Sequence, residues 1–532
     1  MGRDGVQDRT TAVGSPGYGT AGQPAPPRGP LGRLVAEMCA ELRPQLSAVS
    51  ATRLDYVVRR LAGPLQLAVA GRIKSGKSTV VNALIHRRVA PTDIRECTRL
   101  VTRFRYGAVD RVEVVRQDGT RRVLSYDADG LVPVDLGVAV DQIAYVDAFL
   151  TSASLESVTV IDTPGLGSTD ATSVRRAEAV LGRSGRAGPD GVGLDAGSRT
   201  AIAQAEAVLY VLTQAVRADD AEALAVFGGC LSPQAASPVN AVGLLNKADQ
   251  LDGADPIATA RELATAQARL LRHRVRDVLP LAGLVAEATE TGHFTEADAD
   301  VLRQIAGLPP AQRDLLFFSA DLFVRPELPI PVSGRARLLA RLDLFGVRQA
   351  VDLLGADPTL GTGELRRKLA ERSGVPAVRD LIEHAFRRRA DGIKASVALA
   401  ALAVVAAQAP APGDRTRIRD AVEGLLQRPA AHQLRLLEAA ALVSSGTVPM
   451  PAELAAELAG LVSGETPAER LGASGSPVAV LRELALERAS TWRSFATFGS
   501  TPAQSRVAHV VHRSYCLLWQ QLATGGGAVT DE

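Results

Sequence analysis

Residues 71 to 78 read GRIKSGKS, which fits the GxxxxGK[ST] pattern of a phosphate-binding loop. The mostly apolar run Leu65 to Ala70 before it reads as a buried strand, and Thr79 to Ile85 after it as a helix. Strand, glycine loop and helix are the context the motif needs. Gly71, Lys74, Ser75, Gly76, Lys77, Ser78 and Thr79 are therefore expected to cradle phosphate. The loop amides and the helix N-terminus can wrap a β-phosphate, Lys77 can neutralise β and γ oxygens, and the Ser78 hydroxyl can coordinate Mg²⁺. Alone, the pattern serves kinases and ATPases as well as GTPases.

Two further motifs follow in order. The strand expected over Ser157 to Ile161 ends in Asp162, Thr163, Pro164 and Gly165. An Asp at that strand end can hold a magnesium-bound water, and the Gly165 amide can sense a γ-phosphate. The strand expected over Val239 to Leu245 ends in Asn246, Lys247, Ala248 and Asp249, an NKxD that reads guanine. The Asp249 carboxylate accepts bonds from guanine N1 and N2. Adenine offers neither donor, and the unpaired acceptor costs about 1 to 3 kcal/mol. The third motif thus selects GTP over ATP. Leu166 stands where many small GTPases carry a water-positioning glutamine, so water ordering and charge compensation must come from Lys74, the Thr98 segment or a partner subunit.

Outward from these motifs, the chain of 532 residues is long enough for two or three domains. It is 46% apolar but only 4% aromatic, which favours helices packed through Leu, Val and Ala. A net charge of +2 gives no electrostatic footprint for nucleic acid, and no nucleic-acid partner is expected. Cys39, Cys97, Cys230 and Cys516 show no ligand or disulfide spacing, and His509 with His512 reads as a helix face. The Gly- and Pro-rich start of the chain lacks a secretory signal and is expected to be disordered. The apolar run Ala395 to Ala407 falls short of the ~20 residues that cross a bilayer. A cytoplasmic location is the resulting expectation.

Apolar spacing predicts two helices between Leu31 and Leu61. From Leu100 to about Leu124 the pattern is β-branched and alternating, with a turn at Asp118 and Gly119, and predicts an antiparallel meander. Further strands are expected over Ala207 to Leu212 and Val278 to Leu281, and a mobile loop over Gly182 to Gly197. The fold class expected is α/β: a P-loop domain with a mainly parallel sheet and extra antiparallel strands, flanked by an α-helical bundle. From roughly Pro376 strand signals vanish.

These residues resemble the dynamin-like large GTPases, in the isoniazid-inducible, IniC-like actinobacterial branch. GRIKSGKSTVVNALI at Gly71 to Ile85 and APTDIRECTRLVTRFRYG at Ala90 to Gly107 are similar to that branch's P-loop helix and first switch. RLDLFGVRQAVDLL at Arg341 to Leu354 and the segment Glu371 to Ala395 resemble the end of its GTPase domain. Thr98, 21 residues after Lys77, takes the place of the switch threonine that binds magnesium with Ser78. Lys74 stands where animal dynamins have a serine that helps hold a charge-compensating cation, which makes Lys74, Lys77 and Thr98 the expected catalytic set. Leu281, Ala282 and Gly283 take the place of the fifth, guanine-contacting motif.

The resemblance implies a disordered tail over 1–30, neck helices over 31–63, a GTPase domain over 64–375 and a helical neck or stalk over 376–532. It implies GTP/GDP and Mg²⁺ as cofactors and GTP hydrolysis coupled to self-assembly and peripheral membrane remodelling. The expected partners are a second copy through the GTPase domain or a related dynamin-like protein, with an anionic surface at the inner face of the membrane. The alternative reading is a GTP-binding switch that recruits proteins without touching lipid. Arg387, Arg388, Arg389 and Lys394 suggest either an anionic-lipid contact or a solvated helix face. An apolar stripe, Val507, Val510, Val511, Leu518 and Leu522 with Ser514 among them, fits either a helix that joins the neck, as the resemblance implies, or an ordinary helix of the bundle.

Overall fold

Along Leu65 to Gly71 the side chains alternate between two faces, and each face finds a different core. Leu65, Leu67 and Val69 bury with the helix Lys77–Ile85, while Ala68 and Ala70 bury on the opposite side with the helices Pro256–Leu270 and Val332–Ala356. This period of two, with apolar residues in both registers, marks a strand covered on both faces. The computed structural model describes residues 27, 29–91, 100–164, 203–213, 238–251, 255–324, 329–498 and 500–524. Nearly all of the tail over 1–30, together with Thr98, Gly165, Leu166, Cys97, Cys230 and Gly182 to Gly197, lies outside the described residues.

The described strands are β1 Leu65–Gly71, β2 Thr102–Tyr106, β3 Arg111–Arg116, β4 Arg121–Leu124, β5 Ile143–Leu150, β6 Val158–Asp162, β7 Ala207–Thr213, β8 Ala241–Asn246 and β9 Val278–Leu281. They form one sheet of order β4-β3-β5-β2-β6-β1-β7-β8-β9. β6, β1, β7, β8 and β9 run parallel, so Gly71, Asp162, Asn246 and Leu281 all end at one edge. The added strands bring the antiparallel pairs β3/β4, β3/β5 and β2/β6. The mainly parallel α/β class is as expected.

The meander is not. β3 and β4 form the hairpin around Gly119, but β2 does not pair with β3, because β5 lies between them. Sequence reading passed over β5 because Asp147 interrupts IAYVDAFL with a charge. In the sheet Asp147 sits opposite Arg103 of β2, whose Nε and Nη2 donate to it at 2.7 and 2.8 Å, so the charge is buried as a bidentate pair.

From Gly283 onward the described residues contain helices and no strand. The two N-terminal helices, Pro30–Leu42 and Ala48–Ala62, pack on the helix Ala390–Ala407 through Val35, Leu54, Ala395 and Leu402. Leu31 and Gly32 anchor there, their amides donating to the Asp391 carboxylate at 2.8 Å. The stripe near the C-terminus does not join them. Val507, Val511, Leu518 and Leu522 of the helix Pro502–Thr524 bury instead in a separate core with Ala485, Ala489 and Trp492 of the helix Val478–Thr497. The two helices are antiparallel neighbours across a short connection, which brings their stripes together at the least loop-closure cost.

The basic cluster is also corrected. Lys394 turns inward and donates to Glu206 at 3.1 and 3.2 Å and to the Pro64 carbonyl at 3.2 Å. Arg389 donates to the Val239 carbonyl at 2.9 Å. Only Arg388 is well exposed, paired with Glu465. Arg387 donates to the Ser154 carbonyl at 3.1 Å, so three of these four cations tie the helices to segments that lead into the sheet, and the cluster is not a solvated face. The helix Ala390–Ala407 reaches 18 residues, half of them buried among its neighbours.

Candidate functional site

The loop after β1 is shaped by glycine where no side chain fits. A Cβ on Gly71 would lie 2.4 Å from the Val211 carbonyl oxygen, and one on Gly76, whose φ is +88°, would lie 2.2 Å from Asn246 Nδ2. Lys77 opens the helix Lys77–Ile85 and is 8% exposed. Its Nζ donates to the carbonyls of Gly71 at 3.2 Å and Arg72 at 3.0 Å, across the mouth of the loop. Burial holds its pKa below the usual lysine value, and Asp162 opposes that shift.

Asp162 ends β6 beside this loop. The Ser78 hydroxyl donates to its Oδ2 at 3.1 Å, while its Oδ1 is buried with no partner among the described residues. Burial pushes its pKa up to about 6, against Lys77 and Ser78, which lower it. A hydroxyl and a carboxylate with a spare buried oxygen make an all-oxygen donor set, the chemistry that suits a hard divalent cation such as Mg²⁺.

Asn246 ends β8 and joins the loop to β9. Its Nδ2 donates to the Ser75 carbonyl at 2.8 Å, and its Oδ1 accepts from the Gly283 amide at 3.0 Å. A Cβ on Gly283 would lie 2.4 Å from that Oδ1, so glycines flank the amide on both sides. Lys247 then adopts a left-handed φ of 59°, and Asp249 follows in a short 3-10 turn, half-buried. Burial pushes Asp249 up to about 6; the neighbouring Asp343 adds to this, while the main chain and Lys247 counter it.

Lys74 is exposed and has φ +64°, a left-handed conformation that costs a non-glycine residue about 1 to 3 kcal/mol and concentrates at functional sites. Thr79 continues the helix. The structure thus brings Gly71, Lys74 to Thr79, Asp162, Asn246, Lys247 and Asp249 to one edge of the sheet. Thr98 and Gly165 lie outside the described residues.

Sequence reading missed two residues here. Asn82, fully buried, accepts from the amides of Val89 and Ala90 at 3.0 and 2.8 Å and donates to Glu287 at 2.6 Å. It fixes where the chain leaves the P-loop helix toward Thr98. An asparagine inside the apolar run VVNALI was the available signal. Asp343, at φ 56°, breaks the helix Val332–Ala356 and faces Asp249 electrostatically. Nothing in its spacing announces that.

A model of the dynamin family matches residues 67–227. The isoniazid-induced protein IniC of Mycobacterium tuberculosis is 31% identical over 450 residues, which is 83% of this chain and 87% of that protein. A bacterial dynamin-like protein of Nostoc punctiforme is 42% identical over 57 residues, 11% of this chain and 8% of its own. A solved oligomerised bacterial dynamin pair aligns with 93% of this chain and 91% of its own at 13% identity and TM-score 0.33, too loosely to carry weight.

Proposed function

The chain belongs to the dynamin family, in the branch of the isoniazid-induced protein IniC, and we propose from that premise that it binds GTP with magnesium, hydrolyses it and couples the nucleotide to self-assembly at a membrane surface. The observation that carries this reading is the Asn246 side chain, bonded to the P-loop on one side and to Gly283 on the other. It ties the phosphate end of the site to the base end, so Lys77 and Asp249 act on one nucleotide.

Each residue then has a task. Lys77 exchanges the carbonyls of Gly71 and Arg72 for β and γ oxygens, while the amides of the loop through Thr79 hold the β-phosphate. Ser78 and Thr98 would hold magnesium, Asp162 would hold a water bound to it, and Gly165 would sense the γ-phosphate. When bound, the metal neutralises charge on the triphosphate. Asp249 accepts from guanine N1 and N2. The Lys74 ammonium compensates charge developing on the β,γ-bridging oxygen, held in place when a second GTPase domain, of this chain or a related one, closes over it. Turnover per protein should therefore rise with protein concentration, and Lys74→Ala should flatten that rise. A flat wild-type profile with an unaffected variant removes both the dimer and the lysine from the mechanism.

A second reading, a switch that recruits proteins without lipid, gains from the inward turn of Lys394 and Arg389, which removes half of the basic cluster from any lipid-facing surface. Flotation with anionic liposomes separates the two. Protein in the lipid fraction in at least one nucleotide state supports peripheral membrane work, and absence from it in every state supports the switch.

A further inference from the structure

Away from the nucleotide, the helix Ala390–Ala407 lines a cleft of about 180 Å³. Ser396, Ala400 and Ala403 recur along it at helical spacing and form one wall. Leu426 and Leu434, from the two helices that follow, form another. Arg389, at the amino end of the helix, lines the same cleft. Its Nη1 is bonded to the carbonyls of Val239 and Ala385, but its Nη2 is buried with no partner among the described residues. The Ser396 hydroxyl, two turns on, is also buried and without one.

Two unpaired buried donors in one apolar cleft are unusual, because each such group costs about 1 to 3 kcal/mol. Burial and the nearby Arg276 push Arg389 down to about 10, so the guanidinium lacks the counter-charge a buried cation normally has. Glu438 lines the cleft too, but among the described residues Arg389 bonds only to the carbonyls of Val239 and Ala385, so that carboxyl does not pair with its Nη2.

The cleft shares Arg389, Leu437 and Val462 with a wider, more polar cleft of about 770 Å³. Of the three acids there, Asp391 accepts from the amides of Leu31 and Gly32 and Glu465 pairs with Arg388, while Glu37 lies on the wall of the first N-terminal helix. The wider cleft offers a way in for a ligand with a charged end. The narrower one has room for one aliphatic chain and not for two.

We propose that this cleft binds a single-chain aliphatic monocarboxylate, its carboxylate on Arg389 Nη2 and its chain along the Ser396 to Ala403 face. The site is independent of the nucleotide reading. Equilibrium dialysis of the full chain with radiolabelled decanoate tests it, with decanol as the uncharged comparator. Saturable binding is expected, with decanol at least about tenfold weaker, since it lacks the charge-assisted contact. Arg389→Gln should reduce decanoate affinity by about tenfold or more, and Ala400→Phe, which fills the cleft and leaves the arginine, should do the same. Melting temperature checks that each variant is folded. Wild-type protein that shows no saturable uptake, as a cleft holding only water would, overturns the proposal. So does equal affinity for decanoate and decanol, a result that does not depend on either variant folding.

Discussion

Asn246 and Leu518 are both buried, yet they are held in different ways. Asn246 is placed by strand register: β8 pairs with β7 and β7 with β1, so its end must lie beside the loop that leaves β1. Leu518 belongs to an apolar stripe on the helix Pro502–Thr524, and a stripe fits any helix that presents a complementary one. Polar residues in the sheet half are therefore read by position. Those in the helical half acquire meaning only from the partner they meet, as Lys394 does from Glu206.

If that division holds, damage to the far bundle should cost stability and leave the nucleotide site alone. Trp492 is fully buried in the distal core, with its Nε1 donating to Glu457 at 2.7 Å. Trp492→Ala should cost about 3 to 5 kcal/mol in denaturant titration. GTP affinity at a temperature where the variant is folded should be unchanged, and a loss there would break the division.

Lys77→Ala should do the reverse. Removing a charge-assisted contact of about 1.5 to 3 kcal/mol weakens GTP by roughly ten- to a hundredfold in calorimetry. Stability of the nucleotide-free protein should scarcely fall, because the variant also removes a buried cation. Unchanged GTP affinity would mean that the loop is not the phosphate site.

Acid sharpens the contrast within one region. Asp162 and Asp249 are both raised from 3.8 to about 6, so between those values the folded chain holds protons that the unfolded chain has released. Their contribution to the stability of the nucleotide-free protein is therefore greatest below 3.8 and declines as pH rises through 6. Binding of magnesium and guanine needs both groups ionised, so GTP affinity should move the other way, falling about tenfold per group by pH 5. Affinity flat from pH 7.5 to 5 would show that neither carboxylate is used.

The smallest effect is expected at the exposed Arg388–Glu465 pair, where Arg388→Ala should change stability by less than about 1 kcal/mol. A larger loss would show that the start of the helix Ala390–Ala407 is held to the segment after the helix Ala452–Ser463 through this pair.

The sheet was legible because glycine, lysine and acid positions are tied to strand ends. Of its nine strands, only β5 was passed over, since Asp147 disguises it until Arg103 is seen opposite. The helices were legible as helices, and their pairing was not. The C-terminal stripe fitted the neck and an ordinary bundle helix equally and lies in the distal core, because periodicity names a buried face without naming what buries it. Lys394 and Arg389 read as surface charge for a similar reason: their counter-groups, Glu206 and the Val239 carbonyl, come from segments that lead into β7 and β8, more than a hundred residues earlier.

The central claim, that the edge formed by β1, β6 and β8 is a guanine-nucleotide site, rests at its most specific point on the Asp249 carboxylate. Calorimetric titration of wild type and Asp249→Asn with GTP, ATP and xanthosine triphosphate in the presence of magnesium tests it most directly. The wild type should prefer GTP to ATP by at least about tenfold, and the variant should lose GTP and gain xanthosine triphosphate, whose C2 oxygen accepts from the new amide. A wild type that binds ATP as tightly as GTP, or a folded variant that keeps its preference for GTP, would contradict the assignment.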